Sequence, residues 1–313
     1  LTPFVVPEGS TATIAVLLRG ALGCSHREAK ELVLAGRALV NGVATLDVAA
    51  RPRGGAEISL APEGAPRPKR PLEGPGFRVV HIDEWIVVAD KEPGIVTVPT
   101  ANESPEDPPL VARLLGAMAT AGHWIREGLW VVHRIDRSTS GLVLFARAER
   151  IAEELRAQFF ARTPLREYVA WTEGIPAPPR GELSHVLAEN EKSRRVYVAR
   201  SGEEGKDARL EYEVEAQTSA PAPRARVRAR LVTGRRNQIR VQFSAAGWPI
   251  LGDRFYGASD EGPGRTALHA ARLGFVHPGL GAPVEYEAPW PADLVKLDRR
   301  LFAQRSPTLR RRR

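Results

Sequence analysis

An α+β architecture in two parts is expected of this chain, on three grounds. Short apolar runs rich in β-branched residues mix irregularly with helical segments, without the regular strand–helix–strand order of a parallel sheet. The stretch APEGAPRPKRPLEGPG, residues 61–76, is too rich in Pro, Gly and charge to pack a core and reads as a linker. A length of 313 residues, 43% of them hydrophobic, suffices for one large domain and one smaller module.

Residues 1–60 are expected to form the module: a helical stretch from Ala12, a turn at Gly23, a second helix from Ser25 to about Leu34, then short strands. The large domain is expected over residues 77–302. Its first strands are read at 85–90 (WIVVAD), 94–98 (GIVTV), 129–133 (LWVVH) and 141–146 (GLVLFA). Helices are read at 110–121 and 149–161, with further strands at 167–171, 195–199, 210–217 and 226–232. This order suits a largely antiparallel sheet flanked by helices and loops. Residues 303–313, ending RSPTLRRRR, carry charge without apolar anchors and are expected to form a disordered basic tail.

The 45 Lys and Arg against 37 Asp and Glu give a net charge of +8, carried largely by Arg. The guanidinium fork matches phosphate and stacks on bases, so this balance suits nucleic acid better than a small acidic metabolite. Simple overuse of Arg would look the same. Cys24 is the sole cysteine, which excludes an intramolecular disulfide and a thiol-rich metal site. The 7 His show no metal-ligand spacing, so neither metal nor cofactor is expected. With no leader-like start and no long apolar run, a soluble cytoplasmic protein, acting as a monomer, is expected.

In LLRGALGCSHREAKELVLAGRALVNG, residues 17–42, Arg19, Arg27, Lys30 and Arg37 lie around two short helices. Such a face could meet RNA phosphates, although any one of these charges is more often ordinary helix surface. The order of a Ser at the helix start, basic residues along the helix and then G-R-x-x-V-N-G resembles the RNA-binding domain of ribosomal protein S-four, over residues 12–60. The chain departs from that pattern at 12–16, where Arg-Leu-Asp is usual, and at His26, where Arg is frequent. The resemblance implies RNA contacts by Arg27, Lys30 and Arg37.

The densest chemical signal is HRIDRSTSGLVLFAR, residues 133–147, which places Asp136 between Arg134 and Arg137 in a hydroxyl-rich turn flanked by two apolar strands. Flanking cations favour a charged carboxylate, available as nucleophile or base. In isolation, an Asp between arginines is more often a turn cap with surface ion pairs. This segment, however, resembles almost letter for letter the signature of the RluA-type pseudouridine synthases, HRLDRxTSGLLLFAK.

Other stretches agree in order. KEPGIVTVP (91–99) resembles the family's KPxG segment, with Glu92 standing between the Lys and Pro93. REYVAWTEG (166–174) supplies Tyr168, LVTGRRNQIRVQFSAAGWPILGDRFYG (231–257) supplies Arg240, and LHAARLGFVHP (268–278) resembles the closing motif. Asn237 and Gln242 stand where relatives usually carry His, which bears on local RNA contacts.

The resemblance implies isomerisation of uridine to pseudouridine in structured RNA, with base flipping and no cofactor. It makes Asp136 the catalytic carboxylate, Arg240 its partner, Tyr168 the group facing the uracil, and Arg134 the residue entering the space the base leaves. Arg137 is a further candidate RNA contact. Large-subunit ribosomal RNA is the expected substrate, with tRNA compatible with the same residues. Two rivals stand beside this reading: a non-catalytic RNA-binding ribosome-assembly protein, and a hydrolase or lyase using Asp136. The first would be expected to lack Asp136, Tyr168 or Arg240. The second would need a second acid or a metal constellation, which the sequence does not display.

Overall fold

The computed structural model describes residues 3–34, 37–41, 43–45, 48–61, 72–99, 106–121, 128–259 and 262–302. The chain divides into two units, Leu1–Leu72 and Glu73–Arg313. Residues 62–71 of the expected linker and the expected tail, 303–313, lie outside the described residues.

The first unit runs β1 (Phe4–Val5), α1 (Ile14–Leu22), α2 (His26–Leu34), β2 (Ala38–Val40), β3 (Val43–Ala44) and β4 (Glu57–Leu60). Its strands pair in the order β1-β4-β2-β3, all antiparallel. Spacing of apolar residues makes the helices: Ile14 and Leu18 of α1 and Ala29 and Val33 of α2 are fully buried against Ala38 and Ile58. Gly23 ends α1 in the left-handed conformation, φ 64°, that favours glycine. A capping box opens α2, for Glu28 N donates to Ser25 Oγ at 3.2 Å and Ser25 N to Glu28 Oε2 at 2.8 Å.

The second unit runs β5 (Glu73–Gly74), β6 (Phe77–Ile82), β7 (Ile86–Lys91), α3 (Leu110–Thr120), β8 (Trp130–Val131), β9 (Ser140–Ala146), α4 (Glu149–Phe160) and β10 (Leu165–Glu173). It continues with β11 (Arg180–Glu189), β12 (Val196–Val198), β13 (Lys206–Thr218), β14 (Arg224–Leu231), α5 (Gln238–Ala245), a 3-10 turn at Arg254–Tyr256, β15 (Leu268–Val276), β16 (Pro283–Glu287) and α6 (Ala292–Phe302). One large sheet results, in the order β12-β11-β13-β14-β10-β15-β9-β7-β6-β5, with β16 on β15 and β8 on β9. Pairing is antiparallel except between β9 and β15, where His269 faces Ser140 and Ala270 faces Gly141. Helix α4 covers β7, β9 and β15, burying Ile151, Ala152 and Leu155 against Val88, Leu144 and Leu273. Each large side chain so buried contributes roughly 2 kcal/mol. Val241 of α5 packs with Leu187, Val196 and Ala208, over β11, β12 and β13.

The α+β expectation with a largely antiparallel sheet is met. One strand is not. Residues 94–98 form a turn and a loop, because their backbone groups are engaged elsewhere. Gly94, at φ 94°, donates to Arg137 O at 2.7 Å, while Val96 O and Thr97 O accept from Leu110 N and Val111 N at the start of α3. The ordered sheet also begins inside the expected linker, since Gly76 at φ 85° turns the chain so that Glu73–Gly74 pair with Phe77 and Arg78.

Gly141 sits at the parallel junction with φ 112°, and a Cβ there would stand 2.2 Å from Ala270 O. Both the backbone and the space require glycine. Gly141→Ala is therefore expected to destabilise the second unit by roughly 3 kcal/mol or more, through strain and overpacking together. Urea unfolding measures it; an unchanged midpoint would show that the strands part at no cost.

Candidate active site

Asp136 lies on the loop that joins β8 to β9, and the carbonyls of this loop are engaged one after another. Ile135 O accepts from Thr97 Oγ1 at 3.1 Å, and Asp136 O from Thr139 N at 3.1 Å. Arg137 O accepts from Gly94 N at 2.7 Å and Lys91 Nζ at 3.3 Å, and Ser138 O from Arg265 Nη1 at 3.4 Å. Residues 94–98, expected to be a strand, thus serve with Lys91 as a brace for the Asp136 loop. Lys91 is fully buried there, and burial pushes its pKa down to about 7, with the charge of Asp136 opposing the shift.

Register brings Tyr168 to the same place. Across β10, β15 and β9, Tyr168 pairs with Ala270 and Ala270 with Gly141, five residues beyond Asp136. A bulge between Glu167 and Tyr168 interrupts that pairing. Burial pushes the Tyr168 phenol up to about 12; Arg166 opposes the shift and Asp136 adds to it. Tyr168 therefore keeps its proton at neutral pH and offers an O–H and a ring face.

Arg240 projects from α5. Its Nη1 stands 3.4 Å from Asp136 Oδ2, a long contact, whereas Nε and Nη2 grip Asp253 at 2.6 and 2.8 Å. Asp253 is only 2% exposed. Burial alone would lower the Arg240 pKa, but the hydrogen bonds and charge of Asp253 more than offset it, and the guanidinium is held charged. The guanidinium lies 5.0 Å from the centre of the Tyr256 ring. Asn237, in the left-handed conformation at φ 52°, accepts from Arg240 Nη1 at 3.1 Å and donates to Tyr256 Oη at 3.1 Å.

Asp136, Tyr168 and Arg240 line one cleft of about 750 Å³. Its walls carry Arg134, Arg162, Arg166, Arg235 and Arg236. A carboxylate, a neutral phenol and a fixed guanidinium in a basic cleft can bind a polyanion and present a nucleophile or base to a base drawn into it.

The remaining expected residues fall as follows. Arg134 is exposed on the cleft wall. Arg137 is exposed outside it and pairs with Asp107 at 3.5 Å. In the first unit, Arg27 and Lys30 are exposed on α2, with Arg27 paired to Glu31 at 2.9 Å. Arg37 is half-buried, and its Nη2 donates to Ala61 O at 3.4 Å. Gln242 is not at an RNA-facing surface: fully buried, it donates to Leu183 O and Ala208 O, each at 3.0 Å, and so joins α5 to β11 and β13.

Sequence reasoning assigns no role to Asp253, Lys91 or Thr97. The signal for Asp253 is a single acid in the basic segment 231–257; for Lys91 it is an apolar strand ending in a charge. A cluster of possible metal ligands also escapes it: His81, Asp83 and His277 bring their ligand atoms within 4.8 Å of one another. Its bonding is that of a hydrogen-bonded array. His277 Nδ1 accepts from Gly279 N and Leu280 N at 3.1 and 3.2 Å, so Nε2 bears the proton given to Asp83 at 2.8 Å. Among the described residues, no helix is long and apolar enough to cross a membrane.

Comparison with known proteins bears on the family. The family model described as RNA pseudouridylate synthase matches residues 86–245. Ribosomal large subunit pseudouridine synthase D of Zymomonas mobilis is 34% identical over 253 residues, covering 76% of this chain and 77% of that protein. The dual-specificity RNA pseudouridine synthase RluA of Escherichia coli K12 is 35% identical over 225 residues, 70% of this chain and 95% of that one. Among solved structures, human RNA pseudouridylate synthase domain containing 4 shares the fold, with a TM-score of 0.58 and 22% identity over 71% of this chain and 92% of that chain. The chain belongs to the RNA pseudouridylate synthase family and is an RNA pseudouridine synthase of the RluA type.

Proposed function

We propose that this enzyme isomerises specific uridines of large-subunit ribosomal RNA, with Asp136 as the catalytic carboxylate. The observation that carries the proposal is the Asp136 carboxylate beside Arg240, on a braced loop in a basic cleft. The reaction breaks the bond from ribose C1′ to uracil N1 and forms one from C1′ to C5; N1 gains a proton and C5 loses one. Nothing is oxidised or consumed, so the scheme needs no cofactor.

Asp136 serves either by attacking the ribose or the ring, or by taking a ribose proton to give a glycal. Arg240 keeps the carboxylate aimed and gives it a cationic partner, with Nη1 3.4 Å from Asp136 Oδ2. Arg134 occupies the gap the flipped base leaves, at a point where extraction costs roughly a few kcal/mol. The exposed Arg27 and Lys30 of the first unit add phosphate contacts, in the manner of a ribosomal-protein-S-four-like domain. The name of the Zymomonas relative favours ribosomal RNA, while tRNA, compatible with the same residues, is the second arm of the test.

Unmodified large-subunit rRNA and a pool of tRNA transcripts, incubated with the enzyme and mapped for pseudouridine, test the proposal directly. Discrete sites in the rRNA support it; sites in tRNA alone replace the substrate, and none in either RNA sinks the reading. Tyr168→Phe addresses the later step. It keeps the ring but removes the hydroxyl that relays the C5 proton, so tritium release from 5-tritiated uridine RNA should fall about 10²- to 10⁴-fold. Release at the wild-type rate would leave Tyr168 as packing alone.

A further inference from the structure

We infer that Phe160 is a stacking platform for an unpaired RNA base next to the target uridine. The inference rests on the cleft being the uridine site. Phe159 and Phe160 adjoin at the end of α4, yet only the first is used by the protein. Phe159 stacks on His133 at 4.9 Å between ring centres and lies beneath the Arg166 guanidinium at 5.6 Å. Phe160, one position further round the helix, lines the cleft and is 90% exposed. A large aromatic side chain left in water at the mouth of a functional cleft contributes nothing to folding and is a ready surface for a π-face.

Two further observations say what it receives. Arg134 and Arg162, both exposed, line the same cleft, so the ring stands among cations suited to a phosphate backbone. Arg162 also holds φ 60°, a conformation that most side chains avoid, and the turn is fixed by bonds from Arg162 N to Phe159 O and from Thr163 N to Gln158 O, each 3.2 Å. The backbone that carries the ring is therefore fixed, and the turn keeps a cation where glycine would fit with less strain. An aromatic face bordered by cations is the arrangement by which single-stranded RNA bases are held without regard to sequence. A uridine that flips leaves its neighbours unstacked, and Phe160 gives one of them a partner.

The test uses the full-length protein and a fluorescein-labelled RNA hairpin with an all-uridine loop, followed by anisotropy. Phe160→Ala is expected to weaken binding about tenfold and Phe160→Leu nearly as much, while Phe160→Trp retains it. The melting temperature of each variant should match the wild type, as the side chain is exposed. On a hairpin whose loop sugars lack bases, all four proteins should bind alike. Equal binding by wild type and Phe160→Ala overturns the platform, as does wild-type binding by Phe160→Leu, which would mark a merely apolar contact. A loss that persists on the abasic loop also overturns it. Pseudouridine mapping reports separately on the reaction: stacking without product in any transcript supports the platform and sinks the proposed function, and product without stacking does the reverse.

Discussion

Asp136→Asn is expected to lower pseudouridine formation by at least about 10⁴-fold, the scale on which loss of a catalytic nucleophile or base is felt. The substitution is nearly isosteric, and the loop is held through its backbone carbonyls, not through this side chain. Arg240 keeps its two bonds to Asp253 whatever stands at 136. The cleft therefore survives with its arginines, and RNA should still bind. Only the reactive charge is lost: an amide neither attacks a carbon centre nor removes a ribose proton at neutral pH. Single-turnover pseudouridine formation at saturating RNA measures the effect. Activity within tenfold of the wild type would move the chemistry to another group.

The second large effect is expected at Asp253, which bonds Arg240 and reaches Asp136 only through it. Removing it as Asp253→Ala strands a guanidinium that is only 12% exposed, and breaking a buried pair in this way costs about 3 kcal/mol or more of stability. Asp253→Asn separates positioning from folding. It retains one acceptor but cannot hold both arms of the fork, so Nη1 is no longer directed at Asp136. A misaimed partner of this kind lowers kcat by about 10²-fold, with a smaller change in KM. Turnover of Asp253→Asn within threefold of the wild type would show that Arg240 is oriented by Asn237 and Tyr256 instead. Urea unfolding of both variants accompanies the kinetics.

What can be read from the sequence is local. Strands such as Ile86–Lys91 and Ser140–Ala146 announce themselves by β-branched runs, and α4 by apolar spacing. The segment 94–98 has the same apolar character yet is a brace, because its hydrogen-bond partners, Arg137 and the start of α3, are not its neighbours in sequence. Strand Arg180–Glu189 escapes notice for the opposite reason: its alternation of exposed and half-buried residues is too polar to stand out. Asp136 is legible because its motif is continuous. Asp253 is not, since its meaning depends on a fork that reaches back thirteen residues to Arg240, and an acid in a loop carries no mark of its partner. Gln242 is misplaced by sequence alone for want of the same information: one face of α5 meets the cleft and the other meets the sheet.

The parallel pairing of β9 with β15 has a temporal side. Ser140 and His269, joined by a 2.9 Å hydrogen bond, are 129 residues apart in the chain. Contacts of such separation form late, after the loop entropy between them has been overcome. During synthesis, the strand that follows Asp136 emerges long before the strand that flanks it in the sheet, and Arg265, which holds Ser138 O, emerges with the latter. A growing chain thus carries the Asp136 motif without a finished catalytic loop, and competence waits until Arg265 and the strand Leu268–Val276 have been made.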